Sequence, residues 1–392
     1  MLFDVVATLA LAVWLYLLVG RGRFWLAAER DSRPQPGPPP FWPRLVAVIP
    51  ARNEAETIGE TIGSLLGQAY PGPFSIVVVD DESQDGTEAA ARAAAVAVGT
   101  PDRLTVIRGR PLPAGWTGKL WAQQQGVDHA AQAAIAADYL LLTDADITYG
   151  PGAVASLVAR AQAGDYVLTS LMVKLRCRSL AERCFVPAFI YFFQMLYPFA
   201  WVNRRGHPLG AAAGGCMLVR PAALQAAGGL AAIRGALIDD CALGAALKAQ
   251  GPIWLGLTER VASTRPYDHF DDIRRMVSRS AYAQLRYSPV MVLGSTLGMA
   301  LTFLAGPALA LAGHGLPQVL GIVVWAMMCI SYQPILRFYR RSPLWAVALP
   351  AIALAYMAFT LDSAYQHARG RGGLWKGRVQ AQMRDEPVIP KS

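Results

Sequence analysis

The stretch Asp138-Tyr-Leu-Leu-Leu-Thr-Asp144-Ala-Asp146-Ile-Thr148 decides the fold, because an unbroken apolar run ends in two carboxylates one residue apart. Tyr139 to Leu142 reads as a strand buried on both faces, the pattern of a parallel sheet covered by helices. The two acids then sit at its carboxyl end. That is the edge where open α/β sheets bind ligands, and Asp-x-Asp there offers oxygen donors to a hard divalent cation already carrying a diphosphate. A pair of solvated turn acids would look the same in isolation, so the neighbouring segments have to decide.

Upstream, strands alternate with helices. Leu45-Val-Ala-Val-Ile49 reads as a buried strand with Pro50-Ala-Arg-Asn-Glu54 as its exit loop, and Glu56 to Leu66 as a helix. Ser75-Ile-Val-Val-Val79 is a second strand, ending in Asp80-Asp81-Glu-Ser-Gln-Asp85-Gly86-Thr87 before an alanine-rich helix. Crossovers of this length predict a parallel sheet. Leu104 to Arg108 is a further strand leading to Gly115-Trp-Thr-Gly118-Lys119. Asp85 and Thr87 are good helix caps, which gives this loop a structural reading as well. Asp80 and Asp81 nonetheless form a second acidic pair at the sheet edge that carries Asp144 and Asp146.

Downstream, a helix (Ala153 to Ala163) returns to the strand Tyr166-Val-Leu-Thr-Ser170. Cys184 to Trp201 then carries Phe185, Phe189, Phe192, Phe193, Leu196 and Phe199 without a charge. Its length would allow a crossing, but its Tyr and Trp content and its position inside the α/β region favour a helix near 184–202 lying in a membrane interface.

Composition points to lipid. Of 392 residues, 54% are hydrophobic and 16% charged, against about 25% charged in soluble domains; the mean hydropathy is +0.31. Leu2 to Gly20 is apolar and long enough to cross a bilayer, with Arg21, Arg23 and Arg30 just beyond it. A signal peptide would carry its charges before the apolar run, so this is an uncleaved anchor with the following domain in the cytosol. Pro34-Gln-Pro-Gly-Pro-Pro-Pro40 reads as a stiff spacer lifting that domain off the surface. Three more apolar segments follow: Val290 to Ala312, Leu316 to Ile335 and Leu344 to Leu361.

These segments leave one conflict. Gly313-His-Gly-Leu-Pro317 suits an outside loop and Arg337, Arg340 and Arg341 an inside one, yet a fourth crossing puts the basic Arg369, Arg371, Lys376 and Arg378 outside. Either one segment is re-entrant or the charge rule fails here. The layout is therefore an anchor (1–30), a proline-rich linker (31–43), an α/β domain (44–288), membrane segments (289–366) and a basic tail (367–392). The net charge of +9 fits cytoplasmic flanks, and without zinc spacing, an RNP-like run or a basic helix no nucleic acid is expected as a partner. Five cysteines without a C-x-x-C pair read as reduced thiols.

Pro50-Ala-Arg-Asn-Glu54, Val79-Asp-Asp-Glu-Ser-Gln-Asp-Gly-Thr87, Gly118-Lys119, Thr143-Asp-Ala-Asp146 and Asp239-Asp240 follow one another at fitting intervals. This ordered set, over roughly Arg44 to Tyr287, resembles the family 2 glycosyltransferases. Pro113-Ala-Gly-Trp-Thr-Gly-Lys-Leu-Trp121, Leu196-Tyr-Pro-Phe199 and Gln284-Leu-Arg-Tyr-Ser288 resemble the hopene-associated glycosyltransferases of hopanoid-producing bacteria, with ceramide glucosyltransferases more distant.

The resemblance implies an α/β GT-A fold, a Rossmann-like and mostly parallel sheet, between N-terminal and C-terminal transmembrane helices. It implies a hexosyltransferase that is a multi-pass protein of the inner (plasma) membrane with its catalytic domain cytoplasmic. The donor would be a UDP-sugar, the acceptor a lipid and the cofactor Mg²⁺ or Mn²⁺. Asp80 and Asp81 would meet uracil and ribose with Glu54 beside them, Lys119 would approach the diphosphate, and Asp146, with Asp144 behind it, would hold the metal.

Asp240, the second acid of a pair the family usually writes Glu-Asp, would be the general base of an inverting transfer. Asp239, Gly214 and Gly215 would lie on the acceptor side, although tight packing alone would also explain the glycines. Arg286 matches part of the Gln/Arg-x-x-Arg-Trp motif of processive relatives, with Ala283 and Tyr287 departing from it. It reads either as a phosphate contact or as part of a basic collar with Arg274, Arg275 and Arg279. Two other functions stay open: a membrane protein that binds nucleotide sugars without transfer, and a transferase acting on a polyprenyl phosphate or ceramide-like lipid. A transporter is disfavoured by the long soluble α/β region.

Overall fold

The computed structural model describes residues 1–33, 35–132 and 136–370, with 374–375 and 378–379 as backbone strands only. Pro34 of the linker and Arg371 and Lys376 of the tail lie outside the described residues. The chain opens with α1 (Leu2–Leu15), continued to Gly20. Strands β1 (Leu45–Ala51), β2 (Phe74–Asp80), β3 (Leu104–Arg108) and β4 (Tyr139–Thr143) then alternate with α2 (Ile58–Leu66), α3 (Thr87–Ala97) and α4 (Gly118–Ala131). Helical crossovers make these four strands parallel, in the order β3-β2-β1-β4. α4 packs tightly over them because Gly126 has no side chain to strike Val48.

The second half changes polarity. It comprises β5 (Ile147–Tyr149), α5 (Ala153–Ala163), β6 (Leu168–Lys174), α6 (Leu180–Leu196), α7 (Phe199–Asn203), β7 (Cys216–Val219), α8 (Pro221–Ala226), α9 (Asp239–Lys248) and β8 (Ile253–Ser263). The full sheet runs β3-β2-β1-β4-β7-β6-β8-β5, with β7 antiparallel to β4 and β6, and β5 antiparallel to β8. Thr143 pairs with Cys216. The carboxyl ends of β1, β2 and β4 therefore meet the residues that precede β7, and one edge collects loops from both halves. α10 (Phe270–Ser278) and α11 (Ala281–Gln284) follow and lead to three long apolar helices.

Among the described residues, four helices are long and apolar enough to cross a membrane: Leu2–Gly20, Pro289–Ala312, Leu316–Phe338 and Pro343–Ala368. The first three pack together. The Trp14 indole N–H donates to the Thr302 carbonyl at 2.7 Å, and its ring meets Phe303 edge-on at 5.9 Å. Gly306 and Gly321 bring the Pro289–Ala312 and Leu316–Phe338 helices close; a Cβ on Gly321 would lie 2.6 Å from the Ala310 nitrogen. Small residues at such crossings let backbones approach where no hydrophobic drive separates helix from lipid.

Two expectations change. The segment entering the linker does not lift the domain away. Leu257 N–H donates to the Glu29 carbonyl at 2.9 Å and Asp31 N–H to the Leu257 carbonyl at 3.0 Å, while the Asp31 carboxylate accepts from Arg260 at 3.1 Å and Thr258 at 2.8 Å. Proline stiffens a chain without directing it, and these bonds pin the chain to β8 before the prolines begin. The aromatic face of α6 likewise meets protein. Phe185 and Phe192 are buried, Phe192 packs on Phe303 and Tyr356, and the Tyr191 hydroxyl lies 2.7 Å from Ser331 Oγ. α6 is thus covered by the apolar helices, a role its sequence does not separate from contact with lipid.

Candidate active site

The loops after β1 and β2 are laced together by their own polar side chains. Asp81 N–H donates to the Ala51 carbonyl at 2.8 Å, Glu54 N–H to Thr87 Oγ1 at 2.9 Å, Ala55 N–H to Asp85 Oδ2 at 2.9 Å and Gln84 N–H to Asn53 Oδ1 at 2.9 Å. Asp85 is therefore a structural clamp. Burial works to raise its pKa, but bonds from Thr87 and Ala55 hold it below the ordinary carboxylate value. Asp80 accepts Ser83 N–H at 2.8 Å, and buried Asp81 lies 3.5 Å from Arg52 Nη1. Gly109 packs under both, since a Cβ there would come within 3.1 Å of the Asp80 carbonyl and 3.2 Å of the Asp81 Cα.

Two cations knit the rest of the site. Lys119, in the first turn of α4, lies 2.9 Å from Asp144 Oδ1 and 3.1 Å from Asp239 Oδ2. The contact to Asp239 is one of charge, as that oxygen accepts no well-aligned hydrogen bond among the described residues. Burial disfavours the ammonium, but Asp144 and Asp239 outweigh it and raise the lysine's pKa. Burial raises the pKa of Asp144 against the pull of Lys119. The second cation is Arg265, just past β8. Its Nη2 meets Glu54 Oε1 at 2.8 Å and its Nε meets Asp146 Oδ2 at 2.9 Å, with Ser263 Oγ donating to the same oxygen at 3.1 Å.

Asp240 lies in the first turn of α9, where its carboxylate accepts Gly214 N–H at 2.9 Å and Cys241 N–H at 2.7 Å. Burial and the neighbouring Asp239 push its pKa up to about 6, against the opposing effect of Lys119. Gly214 leaves room for this cluster: a Cβ there would lie 3.3 Å from Lys119 Nζ and 3.4 Å from Asp240 Oδ2. Gly215 accepts Thr143 Oγ1 at 2.8 Å, and a Cβ there would press on Val173 at 3.0 Å. α9 is seated by Gly244, whose missing side chain admits the Ala211 backbone.

The structure thus brings together Lys119, Asp144, Asp239, Asp240 and Gly214 in one cluster and Glu54 and Asp146 in another, with Asp80 and Asp81 at the adjoining strand end. Arg286 does not join them. It is exposed, has no ion pair among the described residues, and stands with Tyr287 at φ +52° and +54° in the turn before the Pro289–Ala312 helix. From the same stretch Gln284 does point inward, its amide bonding the Tyr197 hydroxyl at 2.8 Å.

Arg265 escaped the sequence reading because β8 did. The apolar run Ile253-Trp-Leu-Gly-Leu could have found the strand, and its end at Ser263 would have put Arg265 at the sheet edge.

No cluster of three or more His, Cys, Asp or Glu among the described residues could hold a metal ion unaided. Asp144 and Asp146 supply two oxygen-donor side chains, each matched here by a cationic side chain. Such a set suits Mg²⁺ or Mn²⁺ that takes its remaining oxygens from a diphosphate and water.

Comparison with known proteins agrees with this geometry. Residues 46–227 match the model of glycosyl transferase family 2. The 4,4'-diaponeurosporenoate glycosyltransferases of Staphylococcus aureus strains MRSA252 and USA300 are each 35% identical over 105 residues, which is 27% of this chain and 24% of theirs. The chain thus spans about a quarter of the length of these relatives. Across 94% of the chain and 99% of the other, the backbone resembles that of a mannosyltransferase from Pyrobaculum calidifontis, solved in complex with GDP-Man and Mn²⁺, at a TM-score of 0.58 and 18% identity. Residues 46–227 are thus similar to glycosyl transferase family 2, with the ordered motifs on the edge of a sheet of GT-A fold.

Proposed function

We propose that this protein transfers a sugar from a UDP-sugar to a hydroxyl of a membrane lipid at the cytosolic face, with inversion. The observation that carries the reading is the cluster that joins Asp144 and Asp240 around Lys119 and Gly214. Asp144 belongs to the strand-end motif that would face the diphosphate and pairs with Lys119, and Asp240 is held in the same cluster by the Gly214 and Cys241 amides. Asp80 and Asp81 would bind the nucleoside with Glu54 nearby. Lys119 would offer its positive charge to the diphosphate as it leaves. A divalent cation held by Asp146 and Asp144 would supply further countercharge to that diphosphate.

In the transfer, the acceptor oxygen bonds to the anomeric carbon while the bond from that carbon to the diphosphate oxygen breaks. The acceptor's proton passes to Asp240, and UDP leaves with the bonding electron pair. A carboxylate held near pKa 6 is ionised at neutral pH yet a better base than a free one. For the acceptor, a hopanoid alcohol is our reading from the motifs around Trp116 and Tyr197. The Staphylococcus aureus relatives are named for another apolar acceptor, 4,4'-diaponeurosporenoate.

Incubating the full-length protein with radiolabelled UDP-sugars, Mg²⁺ or Mn²⁺ and a lipid extract tests the proposal. Label should enter a lipid product. UDP-sugar binding without transfer to any lipid would favour a donor-binding protein instead.

A further inference from the structure

The Pro343–Ala368 helix has the length and composition of a fourth crossing. Its contacts say otherwise. Near its start, the Pro343 carbonyl accepts from Gln333 Nε2 at 3.3 Å, close to the end of the preceding helix, where the Phe338 carbonyl accepts from Lys174 Nζ of the α/β domain at 3.1 Å. At its middle, the Tyr356 hydroxyl donates to the Phe185 carbonyl of α6 at 2.9 Å, and Phe359 packs on Phe270 of α10. Near its end, Asp362 pairs with Arg274 of α10 at 2.6 Å, and His367 packs on Tyr282 and Tyr287, just before the Pro289–Ala312 helix begins.

Start, middle and end therefore all touch the α/β domain or the domain-side end of another membrane helix. A helix of 26 residues is about 39 Å long, at about 1.5 Å per residue, and a bilayer core is about 30 Å thick. A crossing helix keeps only one end beside a domain that lies on one side.

The outward face of this helix is apolar. Leu344, Val347, Leu354, Leu361 and Tyr365 are exposed and recur at intervals of one or two turns. The start of the Pro289–Ala312 helix packs beside it and adds exposed Val290, Leu293 and Leu297. Arg340 before the helix and Arg369 after it are exposed and bracket the stripe with positive charge. Apolar surface between basic ends suits the boundary between acyl chains and anionic headgroups.

We infer that the Pro343–Ala368 helix lies in the plane of the domain-side leaflet with its Leu344 to Tyr365 stripe against lipid, so that the chain crosses three times and its basic tail emerges beside the α/β domain. This rests on the reading that the other three apolar helices cross. It removes the charge conflict of a fourth crossing, because the tail then lies on the basic side.

The test uses the full chain in sealed vesicles. His314→Cys, and separately a cysteine added after Ser392, are probed with a membrane-impermeant maleimide before and after permeabilisation, with the parent chain giving the background from its own thiols. Labelling of the two positions from opposite sides is expected; labelling from the same side overturns the inference. Protein that washes off the membrane with both positions reactive removes the membrane reading itself, and the inference with it. Nitroxides attached at Leu344→Cys, Leu354→Cys and Leu361→Cys then separate an in-plane helix from a re-entrant one. Equal, shallow depths are expected. Depth changing by about 1.5 Å per residue along the helix would overturn it.

Discussion

Asp144 and Asp146 stand one residue apart and end on different cations. Asp144 follows β4, whose pairing with β7 brings it to Lys119, Asp239 and the loop that holds Asp240. Asp146 precedes β5, whose pairing with β8 brings it to Arg265 and through it to Glu54. The Asp-Ala-Asp turn is therefore a joint between two strand pairings, giving one carboxylate to each half of the site. In the half around Lys119 the cation is the more buried of the two, at 18% exposed, and Asp240 lies beside it with its pKa raised to about 6. In the half around Arg265 the cation is 35% exposed but its carboxylates Glu54 and Asp146 are the more buried ones, at 11% and 9%.

The largest expected effect tests the Arg265 half. Chelation should abolish transfer, with Mg²⁺ or Mn²⁺ restoring it, and Asp146→Ala should lose metal-dependent UDP binding. Full binding by that variant in calorimetry with excess metal would remove Asp146 from the metal site. In the Lys119 half, Asp240→Asn should slow turnover by roughly 10²–10⁴-fold, because Asn keeps the shape but takes no proton. Donor affinity should hardly change, and Asp239→Asn should cost less. Near wild-type transfer by Asp240→Asn, with lipid product identified, would leave the proposal without its base.

The cations themselves sharpen the contrast. Lys119 pairs with Asp144 and Asp239, which are 33% and 17% exposed, so Lys119→Met leaves carboxylates that water still reaches and should cost about 1–3 kcal/mol in denaturant unfolding. Arg265 pairs with Glu54 and Asp146, which are 11% and 9% exposed, so Arg265→Met takes the cation from the more buried pair and should cost about 3–5 kcal/mol. It should also tighten Mn²⁺ binding severalfold by freeing Asp146. Equal destabilisation by the two variants would erase the distinction. The smallest effect near neutrality is on pH dependence. In the proposed transfer Asp240 would act as the ionised base, and its ionised fraction falls as pH drops through about 6. The turnover rate should therefore fall on the acid side of that value, by half at the midpoint, and this limb should vanish in Asp240→Asn.

What could be read from the sequence follows the same division. β1, β2 and β4 are apolar runs because both faces of a parallel strand are covered, and their acids lie within the same short segments, so Asp80, Asp81, Asp144 and Asp146 were legible together. Asp240 was legible only through the order of motifs, since its partner Gly214 is 26 residues away. β8 ends in Glu-Arg-Val-Ala-Ser with mixed exposure, which hides the strand and with it Arg265. The aromatics of α6 are equally suited to lipid and to a neighbouring helix, so their burial had to come from tertiary structure. Arg286 matched part of a motif, yet it is exposed and makes no ion pair among the described residues.

The Trp14 to Thr302 bond also sets a schedule for synthesis. Its two residues are 288 positions apart, and a ribosome adds about 5–20 residues each second. The first helix must therefore wait about 15–60 s, its Ala7, Ala10 and Trp14 face unpartnered, while the α/β domain is made. Assembly of the apolar helix bundle is one of the last events in the life of the nascent chain, and α6 receives its cover only then.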